Sequence, residues 1–68
     1  MEEIIKIRNK YTGLVEETIN GHLNLDYYMT LVKDSIREKA ILDLEQECIK
    51  ITEENIQKAE EGYKIEVE

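Results

Sequence analysis

The final residues of the chain, Tyr63-Lys64-Ile65-Glu66-Val67-Glu68, alternate apolar and charged without interruption. Tyr63, Ile65 and Val67 fall on one side of an extended backbone and Lys64, Glu66 and Glu68 on the other. This period of two predicts a strand over 63–67. Upstream the period changes: Met29, Val32, Ile36, Ala40, Leu44, Cys48 and Ile51 recur at spacings of three and four, which line one face of a helix. The pattern predicts a helical segment over 26–61, with Asn24 or Asp26 available to cap its start. Ile49-Lys50-Ile51-Thr52 is mostly β-branched, so a break near residue 52 is expected. Thr52 can then cap a second helix, with Glu53-Glu54 in its first turn and Gly62 at its close.

Residues 3–19 read two ways. As a helix, Ile4, Ile7, Tyr11, Leu14 and Thr18 share a face. As a hairpin, Ile5 and Ile7 alternate with Lys6 and Arg8, and Val15 to Ile19 returns. The abundance of Ile, Val, Thr and Tyr favours the hairpin. So does Asn9-Lys10-Tyr11-Thr12-Gly13, which puts a glycine where a bulge-type turn needs positive φ. This Thr-Gly turn between β-branched runs resembles the opening hairpin of ubiquitin-like domains, a likeness confined to the hairpin and carrying no activity with it. Asn20 to Leu25 reads as a connection. The C-terminal strand needs a partner and the hairpin offers one. The expected fold is therefore α+β: a single domain over 1–68, with an N-terminal hairpin and a C-terminal strand in one small antiparallel sheet, packed by one long helix or two consecutive ones. The alternative is an all-α helical hairpin with a C-terminal tail. That version resembles the small sporulation phosphatases and kinase inhibitors of low-GC bacteria, but the phosphatases' Ser-Gln-Glu-Leu-Asp run is absent, the corresponding region reading Lys33-Asp34-Ser35-Ile36.

Projected at about 100° per residue, Leu31, Leu42, Ile49 and Ile56 fall opposite the Met29–Val32–Ile36 face. One small sheet covers one stripe, so a second apolar stripe implies a second contact. Either the chain folds back at the break and satisfies it internally, or the stripe meets a second copy or a target protein. Tyr28 is expected in the core and Tyr27 outside it. Tyr27, Leu31, Leu42, Ile49 and Ile56 are therefore the candidate partner-binding residues.

Charge narrows the classes of function. The 9 Lys and Arg are outnumbered by 16 Asp and Glu, for a net charge of −7. No basic cluster suited to nucleic acid or to an anionic membrane surface exists in the sequence. Acidity suits solubility, a basic protein partner, or imitation of nucleic acid. Asp34, Glu38 and Glu45 share one side of the helix as the candidate acidic face.

Candidate chemistry is sparse. Cys48 is the only cysteine and His22 the only histidine, so neither a disulfide within the chain nor a tetrahedral Cys/His zinc site can form. Cys48, on the apolar stripe, is expected to be a small buried hydrophobe. His22 is expected in a loop, without the orienting carboxylate and nucleophile a catalytic histidine needs. There is no phosphate-binding glycine loop and no calcium-loop spacing. No catalytic residue, metal, cofactor or small-molecule substrate is expected. The acidic start Met1-Glu2-Glu3, the lone cysteine and the lack of a long apolar run suggest the cytoplasm. Residue usage rich in Ile, Lys, Glu and Asn suggests an AT-rich genome, such as that of a low-GC bacterium, its phage or a mobile element.

A chain of 68 residues buries only about 60 % of its unfolded surface, so self-association would also add stability. The expectation is a small acidic, non-enzymatic protein-binding module, a regulator or inhibitor acting through an apolar helix face, with a homodimer favoured. The alternatives are a nucleic-acid-mimicking inhibitor of a basic host enzyme and a purely structural homo-oligomer.

Overall fold

The computed structural model describes residues 2–22 and 24–68. The order of elements is β1 (Glu2–Asn9), β2 (Val15–His22), α1 (Leu25–Gln46), α2 (Glu53–Glu60) and β3 (Tyr63–Val67). The three strands form one antiparallel sheet in the order β2-β1-β3, and the fold is α+β. Residues 3–19 are thus a hairpin, not a helix.

The turn forms as its residue types require. The Asn9 side-chain oxygen accepts from the backbone N–H groups of Tyr11 and Thr12 at 2.9 and 3.1 Å. Gly13, at φ 74°, takes the left-handed conformation that an L side chain resists. The β1–β2 register then shifts between Ile7, opposite Glu17, and Arg8, opposite Val15. Glu16 is the extra residue of a bulge. The expected connection at 20–25 is shorter than its composition suggests. Gly21 and His22 pair with Glu3 and Glu2, so His22 closes a strand instead of lying in a loop. Leu23 lies outside the described residues, and Asn24 already caps α1 by accepting from Tyr27 N–H at 3.1 Å.

The helical segment does break, earlier than the β-branched run and by a different device. Cys48 sits at φ 59°. Its N–H bonds the Glu45 carbonyl at 3.2 Å, and the Ile49 N–H bonds the Leu44 carbonyl at 2.9 Å. This pair of bonds is a Schellman termination, with Cys48 in the left-handed position that glycine usually takes. The expectation of a buried Cys48 is therefore overturned: the residue turns the chain, and its thiol is exposed. Thr52 caps α2 as expected, accepting from Asn55 N–H at 3.2 Å. Gly62 follows α2 at a point where space for a side chain is tight. A Cβ there would stand 3.0 Å from the Tyr11 ring and 3.2 Å from the Ala59 carbonyl.

The stripe on α1 serves two partners in turn. Val32 and Ile36 pack with Ile5, Ile7 and Tyr63 from the sheet, flanked by Ile19, Tyr28, Met29 and Ile65. One turn further on, Ala40 and Leu44 pack with Ile56 of α2, flanked by Ile41 and Ala59. The N-terminal half of α1 thus covers the sheet, and its C-terminal half covers α2. The molecule is long and thin as a result, 42 × 22 × 14 Å.

Candidate functional site

Three sides of α1 are occupied. The inner stripe meets the sheet and α2. On the β2 side, Glu17 accepts hydrogen bonds from Ser35 and from Lys39, the latter at 3.0 Å. Those two bonds hold the Glu17 carboxyl below its ordinary pKa, against a smaller opposing effect of burial. On the α2 side, Arg37 donates to both carboxylate oxygens of Glu53 at 2.8 and 2.7 Å, and Glu60 stands 3.8 Å away. The fourth side is an outer ridge. Positions 27, 31, 34, 38, 42 and 45 follow one another at spacings of three and four, and all are exposed.

This ridge carries Tyr27, Leu31 and Leu42, with relative exposures of 58, 38 and 54 %. Asp34, Glu38 and Glu45 lie along the same line. The apolar and acidic candidates are therefore one interleaved surface and not two faces. The Tyr27 ring is steadied edge-on against Tyr28, their centroids 5.5 Å apart, and Tyr28 packs against the core. A pre-positioned aromatic of this kind loses little freedom on docking.

The structure separates the other two candidates from the ridge. Ile49 lies in the α1–α2 connection, 41 % exposed. Ile56 is 5 % exposed and belongs to the α1–α2 core. A helical projection carried through residue 48 assigns both the wrong phase, because the backbone reverses there. For Ile56 the apolar surface is satisfied internally.

Sequence reasoning missed a concavity elsewhere on the molecule. A cleft of about 580 Å³ opens between the hairpin turn, the end of α1 and α2, with Tyr11, Asp43, Leu44, Ile49, Lys58 and Tyr63 among its lining. The available signal was Tyr11 in the turn, 86 % exposed yet with its ring against Gly62. On the cleft wall the Tyr63 hydroxyl donates to Asp43. Burial, first, and this hydrogen bond raise the phenol's pKa. A phenol so held stays protonated and is a poor base or nucleophile. Among the described residues, no group of three His, Cys, Asp or Glu is gathered as for a metal ion, and no helix is long and apolar enough to cross a membrane. No protein-family model, curated protein or solved structure matches the chain.

Proposed function

We propose that the protein is a non-catalytic binding module whose outer α1 ridge docks into an apolar groove rimmed by basic residues on another protein. The observation carrying this reading is the interleaving of Tyr27, Leu31 and Leu42 with Asp34, Glu38 and Glu45 on the one side of α1 that neither the sheet nor α2 covers. Apolar side chains supply contact area, and the acids between them select a positive rim and steer approach. This interleaving favours a protein groove over pure imitation of nucleic acid, which needs the charges without the leucines.

A photo-crosslinking group at Thr30, beside the ridge, should trap a partner in the native cell extract. The Leu31→Glu/Leu42→Glu double variant should keep its helical circular dichroism and lose that product. An equal yield from both proteins would refute the ridge as the docking surface. Capture should also weaken with salt, reflecting the acidic component.

A further inference from the structure

The two sheet edges differ in ways that bear on self-association. The β2 edge carries the bulge at Glu16, and its Glu17 is tied to α1; a bulged edge is a poor template for another strand. The β3 edge has neither device, and its pairing to β1 runs without a register shift. Ile4 and Glu68 exchange both backbone hydrogen bonds, at 2.9 and 2.7 Å, and Lys10 N–H bonds the Gly62 carbonyl at 2.8 Å. Even-numbered residues of β3 therefore point their backbone groups at β1. By the alternation of an antiparallel ladder, the N–H and C=O groups of Tyr63, Ile65 and Val67 point outward from the free edge.

We propose that β3 pairs antiparallel with β3 of a second copy, in the one register centred on Ile65. Only outward-facing residues can exchange bonds across this edge, so neighbouring registers differ by steps of two. Centring on Ile65 sets Lys64 opposite Glu66 of the second copy, Tyr63 opposite its Val67, and Ile65 opposite its Ile65. A shift one way sets Lys64 against Lys64, and a shift the other way sets Glu66 against Glu66. Like charges directly opposite are unfavourable and opposite charges favourable, so the charge pattern selects the central register.

The side chains are available for it. Lys64 makes no salt bridge among the described residues. Glu66 takes Arg8 on Oε1 at 3.1 Å, which leaves Oε2 for the second copy's Lys64. Each Glu66 would then lie between two cations across the joined sheet. On the helix-bearing face, Val67 is 49 % exposed and would be covered by the second copy's Tyr63. An open groove of about 490 Å³ between α1 and β3, floored by Ile36, Tyr63 and Ile65, adjoins this junction. The two-fold axis runs perpendicular to the sheet, so both α1 helices stand on one face of a continuous sheet. This contact does not involve the outer ridge of α1.

Sedimentation velocity over a concentration series should show a monomer–dimer equilibrium for the unaltered chain. Lys64→Glu and Glu66→Lys should each be folded and monomeric, since each sets like charges opposite in the Ile65-centred register. An equimolar mixture of the two variants restores opposite charges, and native mass spectrometry should then show dimers containing one chain of each. Amide exchange on the unaltered chain needs no variant to fold: protection of Ile65 and Val67 should rise with protein concentration as the dimer fraction rises. A monomer at all concentrations up to millimolar, amides of Ile65 and Val67 indifferent to concentration, dimers that persist in both single variants, or folded variants that fail to associate on mixing would each overturn the proposal.

Discussion

Asp43, in the last turn of α1, accepts the phenolic hydrogen of Tyr63, the first residue of β3. The bond joins the two halves of the core, since Tyr63 packs with the sheet cluster and Asp43 adjoins the α2 cluster through Leu44. Tyr63→Phe should cost about 1.5–3 kcal/mol near neutral pH, by analogy with other hydrogen bonds to charged groups. The pH dependence has a fixed sign. The folded state raises the pKa of Tyr63, so this contribution is complete below the ordinary tyrosine pKa of about 10 and is lost as pH rises toward the folded value. Urea unfolding at about pH 8 and about pH 11 should show a larger alkaline loss for the unaltered chain than for Tyr63→Phe.

Glu17 gives the opposite dependence. Its folded pKa lies below the ordinary value of 4.5, because Ser35 and Lys39 donate to its carboxylate. That stabilisation is present above the ordinary value and lost as pH falls through the folded one. Glu17→Gln should therefore lower the melting temperature near neutrality and lower it much less in acid, a difference that thermal melts on either side of the carboxylate range will read.

Cys48 occupies a left-handed backbone position at φ 59° without being glycine. Cys48→Gly should stabilise the chain by about 0.5–1 kcal/mol, the conformational relief exceeding the added freedom of the unfolded chain. In a domain this small the melting temperature should rise by a few degrees. Because the thiol is exposed, the unaltered protein should also react with a thiol reagent without prior unfolding.

Ile56 and Leu42 test the separation of core from ridge. Ile56→Ala empties a site in the α1–α2 cluster and should cost about 2–4 kcal/mol, a large share of the stability of so short a chain. Leu42→Ala, on the exposed ridge, should change stability by less than about 0.5 kcal/mol. Equal effects in chemical denaturation would contradict the placement of either residue.

The elements whose signal is local were legible in the sequence. Gly13 in its turn, Asn24 and Thr52 at their caps, the Val32–Ile36–Ala40–Leu44 stripe and the alternating C-terminal strand each follow from neighbouring residue types. The helix end at Cys48 was not legible, because nothing in a cysteine marks a left-handed residue. That one position decided the rest: with the helix carried past it, Ile49 and Ile56 projected onto the face of Leu31. Once the chain reverses there, Ile56 moves into the core and Ile49 into the connection. Nor does the sequence reveal that β1 is central, and hence that β3 has one bare edge, since strand order depends on long-range pairing.

The central place of β1 bears on how the molecule is made. Its first neighbour, β2, follows after a short turn, but its second, β3, is synthesised only after both helices. A nascent chain halted before Tyr63 would hold a hairpin with β1 open along one side and lack the aromatic ring that completes the core under α1. Pulling on a tethered, growing chain should therefore find little mechanical resistance through the second helix, then a single abrupt gain as the last strand clears the ribosome and zips onto the first.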